Sequence, residues 1–186
     1  MNVAVINKKG GVGKSPIAYS LAKDLKMKYV TNDTSIAEYH FKDVLKIDDF
    51  KNYKISDNEM IDFGGFIVKG ITSLIGQLDK IIIPCTPKIN SIMRTAETAG
   101  ELSNFNENII IVITMFKTIK EYENTISQLE QYFKFPIFPL KESLIFENVC
   151  TTGLSPRELF NENPLSKSAY KTIIEQYENL IQFIKE

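Results

Sequence analysis

The chain has 186 residues, 44% hydrophobic and 24% charged, with 7 prolines and 9 glycines, a composition that excludes a disordered, collagen-like or low-complexity protein and fits one domain, residues 1–186, of two or three packed layers. Lys plus Arg number 22 against 23 Asp plus Glu, a net charge of -1, so bulk charge draws the chain neither to DNA nor to an anionic membrane; contact with either needs a local patch. Cys85, Cys150 and the lone His40 are too few for a zinc or iron–sulfur centre within one chain, and they fit a reducing compartment.

Short apolar runs alternate with longer amphipathic stretches, the pattern of βα units: an α/β three-layer sandwich with a mostly parallel central sheet. In chain order the pattern predicts a strand at Asn2–Asn7, a helix at Lys14–Leu25, a strand at Lys28–Thr31 and a helix-like piece at Ile36–Leu45 followed by a polar run. A strand at Glu59–Ile61, a helix at Phe66–Gln77, a strand at Lys80–Pro84 and a helix at Asn90–Leu102 come next. The remainder reads as a strand at Ile109–Thr114, a helix at Lys120–Tyr132, a strand at Phe135–Phe138, and helices at Ser143–Cys150 and Ser166–Ile184. The last carries Ile173, Tyr177, Leu180, Ile181 and Ile184 on one stripe, which predicts a helix closing one face of the sheet. The longest apolar run, Ile109–Ile113, has a strand's length, and the N-terminal run meets a glycine loop too early for a signal peptide. The expectation is a cytoplasmic protein with no stable membrane association.

The first strand runs into Lys8-Lys9-Gly10-Gly11-Val12-Gly13-Lys14-Ser15 and then a helix. Such a turn gathers backbone N–H groups around an anion at the positive end of a helix, with Lys14 reaching β and γ phosphates and the Ser15 hydroxyl taking a Mg²⁺ position. Asp62, at the end of an apolar strand and followed by Phe63-Gly64-Gly65, would open on the same sheet edge, where a carboxylate holds Mg²⁺ through water and a glycine N–H three residues further on, that of Gly65, senses the γ-phosphate. Asp33 is a third acid on that edge. It orients an attacking water or caps a helix starting at Ser35.

KKGGVGKS resembles the deviant Walker A motif of the ParA/MinD superfamily of P-loop ATPases, in which the lysine before the glycine pair, here Lys9, reaches a partner subunit's nucleotide. Further along, TNDT aligns Asp33 with the family's switch I aspartate, Ile61-Asp62 matches the switch II strand end, and Asp79 with the strand ending in Pro84 matches another family string. Phe138-Pro139-Leu140 resembles the adenine-side loop, and the Gly153-Leu154-Ser155 turn with the polar run before the last helix resembles the short plasmid or chromosome partition ATPases.

The resemblance implies an ATP- and Mg²⁺-dependent ATPase with Lys9, Lys14 and Asp33 catalytic and Ser15 and Asp62 toward the metal. ATP would lie on Lys9, Gly10, Gly11, Val12, Gly13, Lys14, Ser15, Pro16, Pro139 and Leu140. It also implies a homodimer formed with ATP, a centromere-binding adaptor protein, and nonspecific DNA with nucleoid association, for which Arg94, Lys117, Lys120, Arg157, Lys167 and Lys171 are the candidate cations. Three departures stand out. Pro16 replaces a threonine whose N–H serves the α-phosphate; Lys8 replaces a glycine; Thr114 and Phe116 lie where an asparagine reads adenine. Alternatives are a small-molecule ATP-dependent enzyme of the same superfamily, disfavoured by short connections, a MinD-like positioning ATPase, disfavoured by the lack of a basic amphipathic tail, and a noncatalytic nucleotide-responsive interaction module, favoured by Pro16.

Overall fold

The structure is a computed structural model that describes residues 1–33, 37–40, 44–47, 50–64 and 71–186. Seven strands, β1 (Val3–Val5), β2 (Lys28–Thr31), β3 (Val44–Lys46), β4 (Glu59–Asp62), β5 (Lys80–Cys85), β6 (Ile109–Thr114) and β7 (Ile137–Leu140), form one sheet in the order β3-β2-β4-β1-β5-β6-β7. Every pairing is parallel. The helices are α1 (Lys14–Asp24), α2 (Ala37–His40), α3 (Thr72–Ile75), α4 (Ile89–Leu102), α5 (Ile119–Leu129), α6 (Ile145–Thr152), α7 (Pro156–Asn161) and α8 (Pro164–Lys185).

Strands buried on both faces need apolar residues at every position, and alternate residues then serve different cores. Val3 and Val5 join Tyr29, Met60, Ile82, Ile110 and Val112 in a core closed by α1, α6, α7 and α8. Ala4 and Ile6 turn to the other face with Ile61, Ile81, Ile83 and Ile111, where α3, α4 and α5 pack. The stripe predicted for the last helix is the buried face of α8, with Tyr177 and Leu180 at 1% and 0% exposure. Three layers around a parallel sheet are what the alternating pattern predicts.

The differences lie where local signals were ambiguous. Within the expected helix at Ile36–Leu45, Ala37–His40 is helical, residues 36 and 41–43 lie outside the described residues, and Val44–Lys46 is instead a strand on the outer side of β2, with Leu45 and Lys46 exposed at the sheet edge. The first part of the expected helix at Phe66–Gln77, residues 66–70, lies outside the described residues; from there α3 covers Thr72–Ile75. The strand expected at Phe135–Phe138 is displaced to Ile137–Leu140. Pro139 is tolerated there because β7 pairs only with β6. The Gly-x-Ser turn is a helix break: Gly153 closes α6 in the left-handed region, and Ser155 opens α7 with a capping box to Glu158 and Pro156 at the first helical position. That short helix was hidden by its own caps. Among the described residues no helix is long and apolar enough to cross a membrane.

Candidate phosphate-binding site

The loop between β1 and α1 is held from below by two buried polar side chains. Asn7, 1% exposed, donates to the Pro84 carbonyl at 2.7 Å and to Thr95 Oγ1 at 2.8 Å, and accepts the Lys9 N–H at 2.8 Å. The Thr114 hydroxyl lies 3.0 Å from the Val12 carbonyl and 3.3 Å from that of Cys85, donating to one at a time. Gly11 and Gly13 have φ of +71° and +88°, which side chains with a Cβ resist. Gly13 is the N-cap of α1, and no side chain caps the helix and no acid sits in its first turn. The first intrahelical bond is Ile17 N–H to the Gly13 carbonyl at 3.2 Å. The preceding turn therefore presents unsatisfied N–H groups and the positive helix end to an anion. Pro16 lies within that turn and costs the helix no bond; what it withholds is one donor to a ligand.

Lys14 is 9% exposed and its ammonium donates to the Lys9 carbonyl at 3.1 Å. Burial lowers its pKa, opposed by the charges of Asp62 and Asp33 and helped by that of Lys9. Asp62, 1% exposed, is the last residue of β4. Its Oδ2 accepts the Tyr29 hydroxyl at 2.6 Å, while Oδ1 is buried without a well-formed hydrogen bond. Burial raises the Asp62 pKa; the Tyr29 hydroxyl, the nearby Ser15 side chain and the Lys14 charge favour its ionised form, and Asp33 opposes it. Asp33 is exposed beyond β2, its N–H donating to Thr31 Oγ1 at 3.1 Å. The two strand ends are joined next to it by the Gly64 N–H donating to Asn32 Oδ1 at 2.7 Å. Gly65, expected to sense the γ-phosphate, and Ser35, the start of the helix that Asp33 would cap, lie outside the described residues.

Ser15 and Asp62 offer hard oxygen donors, one of them a buried carboxylate oxygen without a well-formed hydrogen bond among the described residues, which is donor chemistry that suits Mg²⁺. Among the described residues no cluster of three His, Cys, Asp or Glu could hold a metal by itself. A cation here therefore depends on oxygens brought by the ligand and by water.

The two lysines ahead of the glycines differ. Lys8 keeps an ordinary negative φ and its ammonium pairs with Glu101 on α4, so this departure from glycine is accommodated. Lys9 is half-buried, and among the described residues its ammonium bonds the neighbouring Gly10 carbonyl alone, at 3.1 Å. It borders a hollow of about 360 Å³ lined also by Gly10 to Val12, Lys88 and Lys117. A larger cleft of about 810 Å³ opens on the other side of Gly13 and is walled by Pro16, Ile17, Met115, Leu140, Phe146 and Tyr170. Leu140 lines it. Pro139 does not, because it lies within β7 beside Ile113, and the loop residues 141–144 take its place. Phe116 is buried in the core, and Thr114 is occupied with Val12 and Cys85.

Of the cations considered for DNA, Arg94 pairs with Glu97 at 2.7 Å, Lys117 with Glu142 at 3.6 Å, and Arg157 makes two 2.6 Å bonds to Glu178. The Glu178 carboxylate raises the Arg157 pKa further. No ion pair among the described residues engages Lys120, Lys167 or Lys171. Sequence reading missed Asn7 and Tyr29. Asn7 carried a signal, a polar residue ending an apolar strand just before a glycine loop; Tyr29 carried none, since an aromatic residue in a strand reads as core.

No protein-family model matches the chain, and no curated protein matches it in sequence. Solved structures do match. The chain is similar to a Borrelia burgdorferi B31 protein described as a plasmid partition protein and bound to AMPPNP, at 17% identity and TM-score 0.66 over 96% of this chain and 98% of that one. The MinC:MinD cell division protein complex of Aquifex aeolicus matches at 16% identity and TM-score 0.66 over 97% and 96%. The septum site-determining protein MinD of Pyrococcus horikoshii OT3, complexed with Mg-ADP, matches at 12% and 0.65 over 98% of both chains. With its all-parallel seven-stranded sheet and its glycine loop between β1 and α1, this chain has the P-loop fold shared by MinD and the plasmid partition proteins.

Proposed function

We propose that this chain belongs to the ParA/MinD superfamily and is an ATP-dependent dimerising switch ATPase that acts in DNA partition. The observation that carries the reading is the contrast between Lys8, tied to Glu101, and Lys9, whose ammonium stands at the mouth of the phosphate loop against a single backbone carbonyl. A cation left there is available to a second nucleotide across a dimer interface. The similar structures carrying AMPPNP and Mg-ADP support a magnesium nucleotide as the ligand.

On this reading the α1 N-terminus and Lys14 bind the phosphates, and Lys14 leaves the Lys9 carbonyl to do so. Ser15 and Asp62 hold the magnesium side of the nucleotide, and bound Mg²⁺ supplies charge compensation at the β and γ phosphates. Asp33 orients water for in-line attack, and Lys9 of each subunit stabilises charge on the other's nucleotide. Closure is thus coupled to ATP and release to ADP, which makes the output a switch. A partition role adds an adaptor protein at the centromere and nonspecific DNA, with nucleoid association. Because Arg94, Lys117 and Arg157 are paired with carboxylates, Lys120, Lys167 and Lys171, which no ion pair among the described residues engages, are the better candidates for DNA.

Pro16 favours a second reading, a module that binds nucleotide weakly and signals without hydrolysis. The deciding test is the mass in solution, by light scattering, of the wild type and Lys9→Ala with Mg-ATP and with Mg-ADP. A dimer formed by the wild type only with ATP, and lost in the variant, is the expected result. A mass that ignores nucleotide overturns the switch and leaves the interaction module.

A further inference from the structure

Resting on the magnesium-nucleotide site proposed above, we propose that Tyr29 is a positioning residue for that site: its hydroxyl fixes one oxygen of Asp62 so that the other is presented toward the metal. The register puts Tyr29 opposite Met60 and Thr31 opposite Asp62, so the phenol reaches diagonally along one face of the sheet to the carboxylate two residues beyond its direct partner. That face is the one covered by α1, the helix that follows the phosphate loop.

The ring cannot swing away easily. Tyr29 is 0% exposed, and its ring meets the Tyr19 ring of α1 edge to face at 6.4 Å and 62°. Its volume is core volume, which a phenylalanine would fill equally well. A buried hydroxyl is costly unless it is bonded, and this one donates at 2.6 Å to the oxygen of Asp62 that would otherwise be free to rotate. The bond distinguishes the two carboxylate oxygens, leaving Oδ1 as the buried acceptor without a well-formed partner. A phenol also does this without adding a positive charge that would compete with a cation. Outer partners of this kind orient metal-side ligands, and their loss weakens metal binding by about 10–100-fold.

The test uses the full chain loaded with ADP and titrated with Mn²⁺, the free ion being read by electron paramagnetic resonance. Tyr29→Phe is expected to weaken Mn²⁺ binding about ten-fold, while ADP affinity measured in EDTA stays within about two-fold of the wild type. Tyr19→Phe is the control for a lost buried hydroxyl. It removes a 2.7 Å bond to the Gly153 carbonyl, and Mn²⁺ binding should not move. Equal Mn²⁺ affinity in Tyr29→Phe and wild type overturns the inference, as does a parallel loss of ADP binding in EDTA, which would make the role structural. A wild type that binds neither ADP nor Mn²⁺ overturns this inference together with the proposed function, and so is distinguishable from failure of the inference alone.

Discussion

The two ends of the proposed nucleotide cleft are built on opposite terms. At the phosphate end nearly every group is positioned by another: Asn7 holds the loop's entry, Thr114 its middle and Tyr29 one oxygen of Asp62, while the uncapped start of α1 leaves backbone N–H groups for an anion. At the other end Pro16, Ile17, Met115, Leu140, Phe146 and Tyr170 make an apolar wall without a side-chain amide to read a base edge. Phosphates offer charge and fixed tetrahedral geometry, which a preorganised cradle exploits, whereas a flat ring is held by any apolar slot of sufficient size. The first end anchors and the second accommodates.

The largest expected effect breaks the phosphate end. Burial raises the Asp62 pKa, so the folded chain holds that proton more tightly than the unfolded one. Stability therefore falls as pH rises from the ordinary carboxylate value to the raised one, and the cost is complete above it. Asp62→Asn removes that cost. In the nucleotide-free protein it should raise the melting temperature on the alkaline side of the transition, by about 2–4 °C for each kcal/mol recovered, and flatten its pH dependence. Magnesium-dependent nucleotide binding should at the same time fall toward the upper end of the roughly 10–100-fold range. Melting curves across pH, beside nucleotide titrations with and without Mg²⁺, check both halves; a variant that is less stable at every pH contradicts the assignment of burial as the cause.

A middle effect sharpens the comparison at the boundary between the ends. Pro16→Thr restores a donor in the first turn of α1, where one hydrogen bond to a charged group is worth about 1.5–3 kcal/mol. Nucleotide affinity should rise about ten-fold by fluorescence titration, and no gain would mean that water already fills the gap. The smallest effect concerns the base end. With no amide lining the cleft among the described residues, ATP and GTP should compete for the site within about ten-fold of each other, since hydrogen-bonded readout is what confers larger discrimination. A preference of a hundred-fold or more, measured by competition, would reveal selective backbone readout at residues 140–144.

How much was legible follows from how local each signal is. Lys14, Ser15 and the two positive-φ glycines sit in one contiguous string whose conformation is set by glycine and by the helix that follows, and Asp62 announced itself by ending an apolar strand. The α/β class came from the alternation of apolar runs with amphipathic stretches, and both cores bear it out. Strand β3 was hidden because three residues on a sheet edge carry little pattern, and helix α7 because six residues between caps look like a turn. The sequence by itself determined the glycine loop ahead of α1 and the layered fold, since backbone sterics and burial on two faces act on neighbours in the chain. Only the tertiary structure decided that Tyr29 reaches Asp62, that Lys8 rather than Lys9 is tied down, and that Arg157 is spent on Glu178. Each of those pairings joins residues brought together by strand register or helix packing, and single-residue properties do not specify such a meeting.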